Sequence, residues 1–427
     1  MRSSVARLLH LSGCERIVLK FQFLIFGHLD LPTVRVYAIN HVQYWNCFRK
    51  ADQIIGQFTR PQNMPLATRM IWYFKRCISR FLGYILPCEY VIHQRQSVLE
   101  HGYLVMDYID TPGIQMLSRT WNQYSNNAEK KANFMRDLSR IILSLSRRSV
   151  PCIGSWTLNP NGVLQLSNRP LTFRLQSFEN VGIPTNIDRD LTYPTADSYY
   201  LDLLSCHDSR ILHQPNSILD EEDGRAQLAN LAIMRALLPH FTDRKLRKGP
   251  FFYKLSDLHQ SNIFVDSEWH IKCLVDLEWA CSAPAEMFRP PYWLTDSPVD
   301  LLTGKNLDSF SKAKDEFLGI FEEEEKSFPL DGDCSYRTNI MKRGWTIGSF
   351  WYFHALESPK GLYNLFLDHI QPRYAPSHRN NSDFMQIVSE YWATGTKNAI
   401  STKLEDKEAY EKKLRESFGM NSDSDNT

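Results

Sequence analysis

The sequence predicts an α+β fold in two parts, a reduced β-rich N-terminal portion and a larger, mostly helical C-terminal one. Three observations carry that prediction. Short β-branched and aromatic runs broken by His, Gly and Pro concentrate in the first part of the chain. Apolar residues at helical spacing dominate after it, and the stretch 251–276 then changes period to a polar loop and two short strands. With 427 residues, 43% hydrophobic and 23% charged, the chain can bury one large or two medium cores. Wholesale disorder, collagen-like repeats and a small disulfide-stapled scaffold are excluded. The expected division is 1–110, 111–402 and a charged tail, 403–427.

Taken in order, residues 17–45 read as strand and turn material. Residues 64–85 carry Met64, Leu66, Met70, Ile71, Phe74, Ile78, Phe81 and Leu82 near helical spacing, so they form a helix or a mobile insertion. Tyr90–His93 and Tyr103–Ile109 are strand candidates, the second ended by the turn residues Asp110, Thr111, Pro112 and Gly113. Lys131–Ser146 is a helix with Phe134, Met135, Leu138, Ile141, Ile142 and Leu145 on one broad face. Ile153–Leu158 and Val163–Leu166 flank Asn159, Pro160, Asn161 and Gly162, which predicts a hairpin. Helices follow over 187–207 and 225–240. Phe251–Asn262 is a compact polar loop, and Ile263–Val265 and Ile271–Val275 are strands joined by Asp266, Ser267, Glu268 and Trp269. After Asp276 a loop rich in Trp, Pro and Glu runs to Trp293. Further helices are expected over 305–325, 339–368, 381–393 and 402–417, with the last ten residues frayed.

Lys plus Arg is 49 and Asp plus Glu is 48, so nothing in the balance points to a polyanion-coating protein, and no nucleic-acid partner is expected. The nine cysteines are scattered and form no CxxC pair, which favours a reducing interior and buried, apolar roles. No apolar run reaches membrane-spanning length, so no membrane partner is expected. A cytoplasmic location is the default, with a mitochondrial presequence as the alternative.

The chemistry concentrates in SDLHQSNIFVDSEWHIKCLVDLEWA, residues 256–280. Asp257 and Asn262 bracket a tight loop that ends where a strand begins, and Asp276 stands where the return strand stops. A hairpin between Asn262 and Asp276 brings its ends together, which gathers an amide and two carboxylates. Hard oxygen ligands of this kind suit Mg²⁺, which retains waters and leans on substrate phosphates. A carboxylate just before such a site can orient an incoming hydroxyl or take its proton. Taken singly, each of the three is an ordinary turn residue. His259 reads as an orienting or packing group, Glu278 as a second metal contact or a loop-bonding group, and Trp279 as core.

DLHQSN, a hairpin and LVDLEWA together resemble the aminoglycoside phosphotransferase and choline kinase-like superfamily, in particular its fungal branch of phosphotransferase-family proteins. FMRDLSRIILSL, IGSWTLNPNG and LSNRP resemble the same branch, and the likeness covers roughly 85–415. The resemblance implies a protein kinase-like two-lobe fold, with a small β-rich lobe for ATP (or GTP), a hinge and a helical lobe. It implies Asp257 as catalytic base, Asn262 and Asp276 as Mg²⁺ ligands, and HGYLVMDYID (101–110) as last small-lobe strand and hinge. Met106, Asp107 and Tyr108 would then meet the adenine. It implies γ-phosphoryl transfer to a hydroxyl of a small molecule, with room for a cationic or amino-bearing acceptor. AEMFRPPYWL (285–294) follows Asp276 closely, as in small-molecule kinases and unlike protein kinases proper.

The likeness departs at two places. His-Gly-Asp of the family's loop is Leu255-Ser256-Asp257 here, which asks for an ordinary backbone conformation at Ser256. No GxGxxG exists, and Lys20 in ERIVLKF is the one Lys on a plausible strand to meet nucleotide phosphates, with too few residues before it. LPTVRVYAI (31–39) is more similar to the strand that follows the small-lobe helix. The N-terminal lobe is therefore read as truncated or divergent, and a catalytically inactive kinase-fold binding protein stands as the alternative.

Overall fold

In the computed structural model the described residues are 9–10, 35–36, 42–47, 56–59, 65–84, 86, 91–92, 103–106, 109, 111–158, 164–277, 279–328, 335–379 and 381–418. They form a mixed α+β protein, with a strand-containing N-terminal region, a largely helical C-terminal region and open sheets. Six strands precede residue 110: β1 (Leu9–His10), β2 (Arg35–Val36), β3 (Val42–Cys47), β4 (Gly56–Thr59), β5 (Val91–Ile92) and β6 (Tyr103–Met106). Five of them form one antiparallel sheet in the order β1-β6-β3-β4-β5, with Tyr44 opposite Thr59 and Val42 opposite Met106. Between β4 and β5 lies helix α1 (Leu66–Phe81), so the stretch read as helix or insertion is a helix. Trp72 is buried, whereas Met70, Ile71, Phe74 and Phe81 are exposed.

The C-terminal region opens with β7 (Gln115–Met116), α2 (Leu117–Tyr124) and α3 (Ala128–Leu145). Helix α3 starts where Asn127 accepts from the amide of Lys130 at 3.0 Å, an N-cap that satisfies one orphan donor. Of its expected face, Phe134, Met135, Leu138 and Ile141 are at 1% exposure or less, Leu145 is buried and Ile142 is half-buried. It packs on α7 (Gly304–Ser327), and at its solvent edge Arg140 meets Glu324 at 2.7 Å. The expected hairpin is present as β8 (Ser155–Leu158) and β9 (Leu164–Asn168), paired from Leu158–Leu164 onward. Its Asn-Gly turn lies outside the described residues.

Helices α4 (Phe173–Asn180), α5 (Ala196–His213) and α6 (Glu221–Phe241) follow. Residues 187–195, expected as helix, are irregular instead, with a turn in which the Leu191 amide donates to the Asp188 carbonyl at 3.1 Å. Pro194 biases the preceding residue toward extended backbone, and Tyr193 bridges Ile153. Two strands frame the next segment where loop was expected: β10 (Phe251–Leu255) pairs antiparallel with β13 (Ala280–Pro284), Leu255 opposite Ala280. The polar loop therefore shrinks to 256–262. Its alternation is hidden because Phe251, Phe252 and Tyr253 are all buried, and a strand covered on both faces has no period of two.

Between them, β11 (Ile263–Val265) and β12 (Ile271–Leu274) form the expected hairpin in a four-stranded sheet, β2-β12-β11-β7. The span 339–368 is broken into α8 (Tyr336–Ile347), α9 (Ser349–Glu357) and α10 (Leu362–Leu365), the first break falling at Gly348 with φ 88°. Beyond them lie α11 (Gln371–Tyr374), α12 (Ser382–Ser389) and α13 (Thr396–Ser417). Among the described residues no helix is long and apolar enough to cross a membrane.

Candidate functional site

The β11–β12 hairpin is held from both ends. At its turn, the Asp266 carboxylate accepts from the amides of Glu268 and His270, both at 3.0 Å, and closes a local turn. Trp269 adopts the left-handed region with φ 62° and is buried at 1% exposure. That conformation presses its indole flat against Trp121 of α2, rings 5.3 Å apart, with Phe134 of α3 edge-on. Asp137 of α3 accepts from the Ile271 amide at 3.0 Å and anchors the strand to the helix. Ile263, Val265, Ile271 and Leu274 are each buried, at about 1.5–3 kcal/mol apiece.

The open end carries the polar groups. Ile263 pairs with Leu274, and the Val275 amide donates to the Asn262 carbonyl at 3.0 Å. Asp276 is thereby one residue from Asn262's backbone partner. Asp276 has φ 54°, the left-handed region that costs a non-glycine residue about 1–3 kcal/mol. Leu277, 3% exposed, pins the chain just beyond it.

The loop before β11 folds back on the same end. The Asn262 side-chain amide donates to the Asp257 carbonyl at 2.9 Å and stands 3.4 Å from His259 Nε2. His259 in turn accepts from the Ser261 amide through Nδ1 at 3.2 Å, and its Nε2 lies 4.0 Å from the Asp257 carboxylate. His259 therefore orients this loop, as expected. The Asp257 carboxyl is raised above its usual range, chiefly by burial; His259 and Arg174 oppose the rise and the Asp276 charge adds to it.

Asp257, Asn262 and Asp276 are thus brought together. Ser256 keeps an ordinary backbone and ties the loop to β13: its amide and its hydroxyl both donate to the Trp279 carbonyl at 2.7 Å. Trp279 is buried, at 7% exposure. Met106 is the last residue of β6, opposite Val42. Lys20, Asp107, Tyr108, Asp110 and Glu278 lie outside the described residues.

One group of residues was not foreseen. Immediately beside the loop is a cavity of about 160 Å³ lined in part by Arg174, Lys254, Phe252, Phe288, Arg289 and Glu357. Ser256 and Leu258, the neighbours of Asp257 on either side, also line it. Glu357 ends α9, where the helix dipole disfavours a carboxylate. Burial likewise opposes its charge, but Arg289, Lys254 and Arg174 outweigh both and hold its carboxyl well below the usual range. Lys254 reaches it at 2.5 Å, Arg289 pairs with it closely, and Arg174 stands 3.7 Å away. These residues come from four separate segments, each without a local signature. Lys254, three positions before Asp257 and within a stretch read as loop, was the nearest to a clue.

Among the described residues, no group of three or more His, Cys, Asp and Glu forms a metal cluster. An amide plus a carboxylate falls outside such a cluster and still suits one ion. Asn262 commits its nitrogen to the Asp257 carbonyl, so its oxygen is not used in that bond. That oxygen and the Asp276 carboxylate are hard donors, as few as Mg²⁺ takes when phosphates complete its shell. Compared with protein-family models and with curated proteins, the chain matches none.

Proposed function

We propose that the chain is a phosphotransferase of protein kinase-like, two-lobe fold that passes the γ-phosphoryl of ATP or GTP to a hydroxyl of a small molecule. The observation that supports the reading is the convergence of Asp257, Asn262 and Asp276 at the open end of one buried hairpin, with the Asn262 amide locked onto the Asp257 carbonyl at 2.9 Å. A raised carboxyl pKa makes Asp257 a better proton acceptor for a hydroxyl.

In the step proposed, the acceptor oxygen bonds to the γ-phosphorus as the bond to the bridging oxygen breaks. The hydroxyl proton passes to the Asp257 carboxylate, and the nucleoside diphosphate leaves with the bridging electron pair. The Asn262 oxygen and the Asp276 carboxylate would hold Mg²⁺, which would supply positive charge to the nucleotide phosphates. The left-handed backbone at Asp276 orients its carboxylate, and the Asn262–Asp257 bond fixes the spacing between base and ligands.

The test is ³¹P NMR of the full chain with Mg²⁺ and ATP, following slow transfer to water. Asp257→Asn is expected to lower that rate about 10²–10⁴-fold, the usual contribution of a general base, while leaving nucleotide binding intact. A chain that binds Mg·ATP but shows no turnover, with or without Asp257, is the inactive kinase-fold binding protein instead.

A further inference from the structure

The cavity beside Asp257 carries a charge that fixes what it can hold. Its lining contains three cations, Arg174, Lys254 and Arg289, against one carboxylate, Glu357, an excess of two positive charges. Uncompensated charge in a largely buried space is costly, so a site of this kind is completed by a ligand of the opposite sign.

The donors for such a ligand are already present. Nη1 of Arg174 and Nη1 of Arg289 have no hydrogen-bond partner among the described residues, and neither does either ring nitrogen of His354. His354 is only 2% exposed, and it also lines the cavity. Tyr292 and Phe350 pack edge-on against its ring, so neither offers it a hydrogen bond. Burial, with Arg289 and Arg174 adding to it, keeps this imidazole neutral, so one of its nitrogens is an unused donor. A planar guanidinium fork with an open N–H matches a carboxylate in geometry as well as in charge.

Most of the remaining wall is apolar, among it Phe252, Met287, Phe288 and Pro290, with the hydroxyl-bearing Tyr253, Ser256 and Tyr292 between them. The volume of about 160 Å³ is close to the roughly 150 Å³ that admits benzene in an apolar cavity. Ser256 and Leu258, the residues before and after Asp257, line the cavity and set it against the catalytic loop.

We propose that this cavity is the acceptor subsite and that the acceptor is a small hydroxy acid, its carboxylate held by Arg174 and Arg289 and its apolar body against Phe252 and Phe288. The hydroxyl then reaches Asp257, a role that rests on the phosphotransferase reading. The preference for an anion does not rest on it. The cationic or amino-bearing acceptor implied by the family resemblance has the wrong sign for this lining.

The test is calorimetric titration of the full chain, without nucleotide or Mg²⁺, with mandelate and with 2-amino-1-phenylethanol. The two share a phenyl ring and a hydroxyl and differ in the sign of their charge. Mandelate is expected to bind at least tenfold more tightly, and Arg174→Gln and Arg289→Gln are each expected to weaken it at least tenfold. Arg289 pairs closely with Glu357, so its variant also tests the fold; Arg174 makes no hydrogen bond to Glu357, so Arg174→Gln, checked by its melting curve, keeps the test decisive. Equal or tighter binding of the amine overturns the proposal. So does mandelate binding untouched by Arg174→Gln, or none at all by the folded chain. Since no nucleotide is present, each of these results leaves the phosphotransfer reading standing on its own test.

Discussion

Two polar regions meet at Ser256, and they are built on opposite plans. Ahead of it in the chain, β10 delivers Lys254 to a cluster of three half-buried cations around the buried Glu357. Beyond it, the loop and hairpin gather Asp257, Asn262 and Asp276, with Asp276 exposed. The cationic cluster is assembled from residues 174, 254, 289 and 357, whereas the acidic one comes from a single run of twenty. The first is locked by burial and charge, and the second is held by backbone geometry, with Asp276 exposed and Asp257 half-buried. Stability and chemistry are thus divided between neighbours, and substitutions on the two sides fail in different ways.

The largest effect belongs to Glu357. Replacing it with Ala strands three cations around the cavity and is expected to cost about 3–5 kcal/mol, as for any buried ion cluster that loses one partner. Urea denaturation measures this, and a loss below about 1 kcal/mol would mean that solvent screens the cluster as it does a surface pair. Asp257→Asn, by contrast, removes a group that burial already pushes toward its neutral form. The same titration is expected to show little change in stability.

Slightly smaller is a pH effect from a second buried carboxyl, which separates Glu357 from its opposite. Burial pushes Glu286 up to about 7, even though the Tyr200 hydroxyl and the Asp243 amide donate to it. A carboxyl whose folded pKa is raised holds its proton longer in the folded state than in the unfolded one. Its contribution is therefore lost as pH rises between 4.5 and about 7, by about 3 kcal/mol. Glu357, held low, contributes in the opposite sense and loses stability only as pH falls. Denaturation midpoints across that window are expected to decline with rising pH, and to decline less in Glu286→Gln. An equal slope in both proteins would assign the dependence elsewhere.

The smallest effect is at the junction itself. Ser256→Ala removes the hydroxyl bond to the Trp279 carbonyl but keeps the amide bond to the same oxygen. About 1 kcal/mol is expected. Nucleotide binding should survive, and its loss would show that the Ser256 hydroxyl positions the loop as well as fastening it.

The same contrast explains what could be read from the sequence. Asp257, Asn262 and Asp276 were legible because the short hairpin converts spacing along the chain into proximity in space. The face of α3 was legible because its apolar period is regular. β10 and β13 were not, since strands buried on both faces lose their alternation. The break at Gly348 was hidden inside a continuous apolar pattern. The cationic cluster was illegible for a further reason: four tertiary segments set its composition, and no one of them holds two of its members.

In the proposed phosphotransferase, the hairpin end holds a metal-linked nucleotide. Isothermal titration calorimetry of ATP and GTP against the full chain tests it most directly, with and without Mg²⁺ and with Asp276→Asn alongside. The expected result is Mg²⁺-dependent binding that Asp276→Asn abolishes while the melting curve stays unchanged. Absence of binding by the folded chain, or binding indifferent to both Mg²⁺ and Asp276, would contradict it.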